Sequence, residues 1–253
     1  MGALKFDVAM RTDRGVVRQA NQDAVAGDPE AGLLVLADGM GGANAGEVAS
    51  GLAVDLLMNQ LVAMRDSTAQ PVTREELLEA LHSVNSAILD LAQQVPEYHG
   101  MGTTLVMGLL QEDHLIYAHV GDSRLYRMHQ GVLEALTCDH TLLQELVDLG
   151  EFSSLDEALD AGVPKNVLSR AFGVEMAVAV DIAELALSVG DLLLFCSDGL
   201  TNMLADNEIA GILHAKDMDL MAMVDALIAA ACEKGGADNV SVILARVINS
   251  DET

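Results

Sequence analysis

Four aspartates of this chain stand at the ends of apolar segments, each followed by a glycine, a serine or an asparagine: Asp38, Asp122, Asp198 and Asp238. A carboxylate at the end of a buried strand is costly to leave without a partner, and of the four lysines none lies near Asp38 or Asp198 in sequence. Carboxylates that converge repel one another unless cations neutralise them. Since they offer only oxygen ligands, the pattern favours a site for Mg²⁺ or Mn²⁺ over one for zinc.

An Asp-Gly pair by itself is most often a hairpin turn. Neither Asp38-Gly39 nor Asp198-Gly199 leads into a second strand, because a helical pattern follows each of them. A glycine after Asp38 also allows a backbone carbonyl to turn towards the same ion, where a Cβ atom would hinder it. The turn interpretation is therefore weakened at these two positions.

The overall composition describes a folded, strongly acidic chain. Of 253 residues 51% are hydrophobic, and 39 Asp and Glu against 13 Lys and Arg give a net charge of −26. This charge disfavours nucleic acid and anionic membranes as partners, since both are bound through clusters of Lys and Arg. Solubility explains the acid surplus as readily as cation binding does.

The three cysteines, Cys138, Cys196 and Cys232, are odd in number and far apart. They contain no C-x-x-C pair and predict neither a disulfide framework nor a cysteine zinc site. Cys196 lies in an apolar run, where we expect a reduced, buried thiol. The N-terminal residues lack the apolar segment of a secretion signal, and no apolar run reaches about 18 residues. We expect a cytoplasmic protein without membrane insertion.

Hydrophobic periodicity predicts hairpins and paired helices rather than regular strand–helix alternation. Helices are predicted over 46–64, 73–94, 140–149, 206–213 and 220–233, and Thr73 and Glu76 have the spacing of a capping box. Strands are predicted over 6–11, 32–37, 103–110, 114–120, 125–128, 132–136, 177–187, 191–196 and 240–248, with an irregular loop over 150–166. We expect an α+β fold in which helices pack outside antiparallel sheets, formed by a single domain over residues 1–253.

The sequence lacks the motifs of several other catalytic classes, namely H-E-x-x-H, G-x-S-x-G and Gly-Lys-Ser/Thr. Its seven histidines are scattered, and each is interpreted as a structural or surface residue.

Six short motifs occur in the order found in the metal-dependent serine/threonine protein phosphatases. They are Arg18–Asp23, Asp38–Gly42, Gly102–Thr104, Val120–Arg124, Ser197–Leu200 and Asp238–Asn239. Over about Arg11 to Val247 the chain resembles the PPM family, or type 2C phosphatases, in its compact bacterial form. The resemblance implies a four-layer αββα sandwich, in which two central antiparallel sheets are flanked by helix pairs and a metal cleft lies at one edge.

The resemblance also implies a ligand set for two ions, Mn²⁺ or Mg²⁺. Asp38 matches the residue that bridges both ions. Asp198 and Asp238 match the remaining protein ligands of the first ion, and the Gly39 carbonyl matches a ligand of the second.

Further roles are implied for residues around these ligands. Asp23 matches an acid that supports the second ion through water, and Asp122 matches the residue that many bacterial members use, with Asp198, for a third, weaker ion. Arg18 matches the arginine that grips the substrate phosphate, and residues 150–170 match a variable flap. The resemblance implies hydrolysis of phosphoserine and phosphothreonine by a metal-activated water without a phosphoenzyme, in a monomer that acts on phosphorylated proteins and opposes a Ser/Thr kinase.

Position 40 departs from the eukaryotic pattern, because Met40 stands where those members usually carry histidine. Methionine cannot donate a proton to the leaving alkoxide. Our hypothesis is that a water near the third ion and Asp122 supplies this proton.

Two other functions stay open at the level of sequence. A phosphoprotein-binding relative without activity is expected to have lost a metal aspartate, and none is lost here. A hydrolase of small phosphoesters shares the same metal chemistry. Among single residues, Arg124, Lys165 and Arg170 either contact a phosphoprotein substrate or are ordinary surface residues, whereas Thr103 and Thr104 are expected to pack beneath the metals.

Overall fold

Two antiparallel sheets form the centre of the computed structural model, which describes residues 4–42, 45–67, 70–215 and 218–250. The strands are β1 Leu4–Asp13, β2 Asp23–Asp28, β3 Leu33–Met40, β4 Gly102–Thr103, β5 Leu105–Gln111, β6 His114–Val120, β7 Arg124–His129, β8 Val132–Ala135, β9 Asp181–Ala186, β10 Leu192–Cys196 and β11 Val240–Asn249. One sheet has the order β1-β11-β10-β7-β8. The other has the order β2-β3-β5-β6-β9, with the short β4 paired to β3.

The described residues form seven α-helices. They are α1 Ala45–Ser67, α2 Arg74–Gln94, α3 Leu142–Asp148, α4 Leu155–Asp160, α5 Asp198–Thr201, α6 Asp206–Leu213 and α7 Leu220–Glu233, with a 3₁₀ turn at Pro96–Tyr98. The long helices α1 and α2 pack on the β3–β5 sheet, whereas α6 and α7 pack on the β10–β11 sheet. The expected αββα sandwich is confirmed.

The layer between the sheets is apolar and closely packed, with side chains from both sheets in one cluster. Phe195 of β10 is fully buried there, and its ring lies against the backbone of Gly108 on β5. A Cβ atom at Gly108 would lie 2.8 Å from Phe195 Cζ and 2.9 Å from Leu115 Cδ1. Glycine at this position therefore lets the ring fill the space between the sheets.

Several predicted elements agree closely with the structure. Helices α6 and α7 and strand β6 have the predicted bounds. The capping box of α2 is formed, since Thr73 Oγ1 accepts from the Glu76 amide and Glu76 Oε2 accepts from the Thr73 amide at 2.8 Å. These segments have strong periodicity or a specific cap, and both are local properties of the sequence.

Two expectations need correction, and one strand was not predicted. Residues 150–166 are not wholly irregular, because α4 forms there with Ser154 as its N-cap. Strand β2 was not predicted, since its sequence, Asp-Ala-Val-Ala-Gly-Asp, is rich in small residues and lacks a strong strand signal. The strand expected over 177–187 is shorter, Asp181–Ala186, and residues 177–179 line a cavity instead of pairing in the sheet.

Among the described helices, α1 alone has the length and apolar content that a membrane span would need. Its residues Ala49, Ala53, Leu57 and Leu61 are fully buried in the cluster that also contains residues of β3 and α2. That face of α1 is thus part of the hydrophobic core.

We predict that Gly108→Ala lowers the free energy of unfolding by about 1–3 kcal/mol, because the added methyl group overpacks the layer between the sheets. Gly51→Ala on α1 is the matched control. Nothing lies within 4 Å of a Cβ atom there, and alanine in a helix is expected to stabilise by about 0.5–1 kcal/mol. Urea unfolding of both variants measures the difference, and equal stability of the two would contradict this account of the packing.

Candidate metal centre

Asp38 lies at the end of β3, and two threonines fix its backbone. Thr104 Oγ1 accepts from the Asp38 amide at 3.0 Å, and Thr103 Oγ1 donates to the Asp38 carbonyl at 2.9 Å. The Thr104 hydroxyl also lies 2.7 Å from Ser123 Oγ, next to Asp122. The two threonines are buried beneath the carboxylates, as expected, and Thr104 connects the two segments that carry Asp38 and Asp122.

Asp23 faces Asp38 across the β2–β3 pair. Its Oδ2 accepts hydrogen bonds from Ser197 Oγ at 2.8 Å and Ser241 Oγ at 2.6 Å, whereas its buried Oδ1 has no hydrogen-bond partner. The two serines come from the second sheet and its extension, so Asp23 joins the two sheets at this edge. Neither serine was assigned this role from sequence, although Ser197 belongs to one of the six motifs.

Asp198 follows β10 at the start of α5. Its Oδ2 accepts from Asn202 Nδ2 at 2.8 Å, and its buried Oδ1 has no hydrogen-bond partner. A Cβ atom at Gly199 would lie 1.9 Å from the Asn239 carbonyl oxygen. Glycine after Asp198 therefore allows α5 to approach the segment that carries Asp238.

Asp238 pairs with Arg18, whose Nη2 donates to Asp238 Oδ2 at 2.7 Å. The neighbouring Asn239 is buried and holds the loop that carries Arg18. Its Nδ2 donates to the carbonyls of Arg14 and Ala20, each at 2.9 Å, and its Oδ1 accepts from the Gln22 amide. Asn239 belongs to the Asp238–Asn239 motif, but only the fold shows which backbone groups it binds.

Asp122 follows β6 after Gly121, which has φ of 101°. Its position depends on His140, which binds Gly121 twice. The His140 amide donates to the Gly121 carbonyl at 2.9 Å, and the Gly121 amide donates to His140 Nδ1 at 3.1 Å.

Burial and mutual repulsion raise the pKa values of Asp23, Asp38, Asp122 and Asp198. The pKa of Asp38 lies well above its usual range because of burial and the charges of Asp23 and Asp198. Burial raises the pKa of Asp23 to about 6, against the effect of its two serine hydrogen bonds, and burial with the Asp198 charge raises the pKa of Asp122 to about 7. Burial and then the Asp238 charge raise the pKa of Asp198.

One cavity of about 680 Å³ collects most of the predicted site residues. Its lining includes Arg18, Asp38, Gly39, Asp122, Asp198 and Asp238. Asp23 is the exception, since it lies buried beside Asp38 and is not part of the lining. The opposite wall comes from residues 166–179, so the cavity-lining segment extends beyond the flap expected over 150–170.

Arg124, Lys165 and Arg170, for which the sequence left open a substrate contact or an ordinary surface role, have different environments in the structure. Arg124 binds Asp139 through both Nε and Nη2 at 2.7 Å and donates to the Tyr126 hydroxyl, so it is committed to packing. Lys165 does not line the cavity. Arg170 does line it, with Nη1 3.1 Å from Asp181 Oδ1.

His119, His140 and Asp181 form a second cluster, in which one possible ligand atom of each lies within 4.8 Å of the others. The two imidazole rings stack with centroids 4.4 Å apart, and Arg170 Nη1 lies 3.2 Å from His140 Nε2. Stacked rings direct their nitrogens side by side, and a guanidinium repels a metal cation. This arrangement instead connects the Asp122 segment to the flap.

The donor set at the aspartate centre fits hard divalent cations. It offers carboxylate oxygens, two of which are buried without a partner, on Asp23 and Asp198. Buried carboxylates that raise one another's pKa are the groups that a Mg²⁺ or Mn²⁺ ion stabilises.

A sequence model of the family described as protein phosphatase 2C matches residues 14–244. The chain belongs to the protein phosphatase 2C family. One related protein, the serine/threonine phosphatase stp of Listeria monocytogenes, is 40% identical to this chain over 241 residues, which cover 92% of this chain and 93% of the relative. Protein phosphatase PhpP of Streptococcus pneumoniae is 35% identical over 252 residues, which cover 97% and 99%.

Solved structures agree with this family assignment. The serine/threonine phosphatase PstP/Ppp of Mycobacterium tuberculosis superimposes with a TM-score of 0.86 at 34% identity, covering 96% of this chain and 98% of that one. The catalytic domain of PstP in complex with two manganese ions gives a TM-score of 0.84 at 35% identity, covering 97% and 100%. The resemblance predicted from six motifs is confirmed.

We predict that, without divalent cations, this 2C-family chain loses stability as the pH rises. A carboxyl group whose folded pKa exceeds its unfolded value, about 3.9 for Asp, binds more protons when folded. The stability that these groups contribute is greatest below about pH 4. It is lost as the pH rises through their folded pKa values, about 6 for Asp23 and about 7 for Asp122. Thermal unfolding in EDTA at pH 5 and pH 8 measures this loss.

The variant Asp38→Asn isolates the contribution of the cluster from that of the overall negative charge. At pH 8 in EDTA, its melting temperature is expected to exceed that of the unchanged protein by several degrees, since about 1 kcal/mol corresponds to about 2–4 °C at this size. Asp7→Asn, at an exposed position of β1, is the control. An equal effect of both substitutions would show that the cluster is not the source.

Proposed function

We propose that the protein is a metal-dependent phosphatase that removes phosphate from phosphoserine and phosphothreonine residues of proteins. The observation that carries this proposal is the convergence of Asp38, Asp122, Asp198 and Asp238 with Arg18 at one cavity. Family membership and relatives named serine/threonine phosphatases support it.

The proposed ligands are those implied by the sequence. Asp38 would bridge two ions, Mn²⁺ or Mg²⁺, with Asp198 and Asp238 on the first ion and the Gly39 carbonyl on the second. Asp23 would act through water, and Asp122 with Asp198 would hold a third ion. Divalent cations, when bound at such a site, acidify water for attack on phosphorus and offset negative charge on the phosphate.

Arg18 is proposed to bind the substrate phosphate. Its guanidinium is oriented by Asp238 at 2.7 Å, and this hydrogen bond raises the pKa of Arg18. The Arg18 side chain is half-exposed and lines the cavity. A guanidinium can donate two parallel hydrogen bonds to phosphate oxygens, which fixes the direction of the phosphate as well as neutralising it.

Water rather than a side chain is proposed as the nucleophile. The hydroxyl-bearing residues of the lining are Thr104 and Ser169. Thr104 is occupied by the Asp38 amide and Ser123, and Ser169 Oγ has no hydrogen-bond partner that would serve as its base. The absence of an activated hydroxyl among the described residues of the lining supports direct hydrolysis without a phosphoenzyme.

The proposal also covers the domain organisation, the oligomeric state, the location and the partners of the protein. We propose one catalytic domain over residues 1–253, a monomer that acts in the cytoplasm on phosphorylated proteins and opposes a Ser/Thr kinase. The alignment with relatives along nearly their whole length supports the single domain. The net charge of −26 argues against a nucleic acid partner.

Removing the bridging carboxylate is expected to abolish turnover. Metal-stripped protein is predicted to release phosphate from a phosphothreonine peptide only after Mn²⁺ or Mg²⁺ is added, and Asp38→Ala to lower kcat by about 10³-fold or more, as loss of a major electrostatic element does. Asp7→Ala, which removes a carboxylate from an exposed position outside the cavity, is the control and is expected to keep the normal kcat after the same metal removal and addition. Turnover by the metal-stripped protein, or by Asp38→Ala at the normal rate, would refute the proposed centre.

The leaving group provides a second test, which concerns Asp122. Met40 lines the cavity but has no proton to donate. If Asp122 helps to supply the proton to a leaving alkoxide, Asp122→Ala should slow phosphoserine turnover about tenfold more than turnover of p-nitrophenyl phosphate, whose leaving group needs little protonation. Equal losses for both substrates would assign Asp122 to another role.

A further inference from the structure

We propose that the cavity wall formed by residues 174–179, together with Glu145 of α3, selects phosphopeptides with basic residues beside the phosphorylated residue. We refer to residues 174–179 as the outer wall. This inference rests on the proposed function, since it names the substrate class of the same site.

The first argument is the balance of charge along the cavity. Apart from the aspartates of the metal centre, its charged lining residues are Arg18, Arg170, Glu145 and Glu175. Arg18 pairs with Asp238 and Arg170 pairs with Asp181. Within residues 4–42, 45–67, 70–215 and 218–250, Glu145 and Glu175 form no ion pair, and both are exposed. The unpaired charges that face an incoming peptide are therefore both negative.

The second argument is that the outer wall continues directly into the metal centre. A Cβ atom at Gly102 would lie 2.6 Å from Met40 Cε and 3.1 Å from Val174 Cγ2, so both side chains lie close to Gly102. Met40 is two residues from Asp38. Val174 and Glu175 line the same cavity as the aspartates, so a peptide whose phosphate reaches the aspartates can place a neighbouring residue along them.

The third argument is that the outer wall is built in advance. Asn85 of α2 is buried and binds the backbone of this segment with its whole amide group. Its Oδ1 accepts from the Gly173 amide at 2.8 Å, and its Nδ2 donates to the carbonyls of Glu175 at 2.8 Å and Met176 at 3.3 Å. Gly173 has φ of 83°, and a Cβ atom there would lie 2.4 Å from Ile88 Cγ2. A preformed wall binds a peptide with a smaller ordering cost.

The outer wall also presents apolar surface beside its carboxylate. Val174 is 53% exposed and Met176 is 89% exposed. The aliphatic stem of an arginine or lysine can cover such surface while its charged end reaches Glu175 or Glu145. Both features of the wall thus suit a long basic side chain better than an acidic one.

The test compares three phosphothreonine peptides of equal length, with arginine, alanine or glutamate on both sides of the phosphothreonine. The protein is loaded with Mn²⁺ and assayed at low salt, and each kcat/KM is normalised to p-nitrophenyl phosphate turnover by the same protein. An exposed ion pair changes binding by about two- to fivefold. With two carboxylates, we expect the arginine peptide to exceed the glutamate peptide by about tenfold.

The net negative charge of the whole protein would also favour basic peptides. Two double variants therefore distinguish the effect of the cavity carboxylates from the effect of the overall charge. Glu145→Gln with Glu175→Gln is expected to reduce the preference to about twofold, mainly through a higher KM for the arginine peptide. Glu30→Gln with Glu79→Gln removes the same charge from exposed positions outside the cavity. This matched variant is expected to keep the tenfold preference.

The same experiment separates the inference from the proposed function. An unchanged preference in Glu145→Gln with Glu175→Gln would overturn the inference and leave the phosphatase intact. Turnover of p-nitrophenyl phosphate without release of phosphate from any peptide would overturn the proposed function, and the inference with it.

Asn85→Ala tests whether the wall must be held in place. It is expected to raise KM for the arginine peptide at least about threefold with little change in kcat, whereas Ser86→Ala on the exposed face of α2 leaves KM unchanged. Circular dichroism checks that the variant is folded, and the surface variants above decide the proposal should it not fold. An unchanged KM in folded Asn85→Ala would contradict a positioning role for Asn85.

Discussion

The repulsion among carboxylates at one edge of the sandwich is the constraint on which the rest of the structure depends. Asp23, Asp38, Asp122, Asp198 and Asp238 come from both sheets and meet beside one cavity, where burial and their own charges raise the pKa of Asp38 well above its usual range. The burial of apolar side chains on both faces of the sheets stabilises the fold and offsets this electrostatic repulsion. Divalent cations remove it when they bind, so stability and catalysis are proposed to depend on the same ions.

The polar groups around the aspartates hold them without neutralising them. Hydroxyls of Ser197 and Ser241 donate to Asp23, and threonine hydroxyls bind the backbone of Asp38. These neutral donors leave carboxylate oxygens of Asp23 and Asp198 without partners. A lysine in their place would satisfy the charge and occupy the position of a cation. In the part of the chain that the structure describes, the one arginine that forms an ion pair with these aspartates is Arg18, which pairs with Asp238 and remains half-exposed to the cavity.

The two sides of the cavity are built differently. The aspartates stand at strand ends whose positions follow from the pairing of the sheets. The opposite wall is a segment without regular structure, and Asn85 of α2 binds it at Gly173, Glu175 and Met176. Reaction chemistry and substrate selection are thereby separated. Residues of the outer wall can change without disturbing the sheet register on which the metal centre depends.

The sequence by itself determined the residue types at the centre, the strong helices and the family, because periodicity, capping and short motifs are local. Only the tertiary structure decided the contacts between distant residues. Ser241 reaches Asp23 across 218 positions, Asn85 holds the outer wall across about 90, and Arg124 is committed to Asp139 rather than to a substrate. Such contacts depend on how the two sheets stack and on which strands neighbour each other. A hydrophobic pattern predicts which face of a strand is buried, but not which strand pairs with it. The free energy gained on burial depends on the apolar area and is nearly the same for any apolar face in the sandwich.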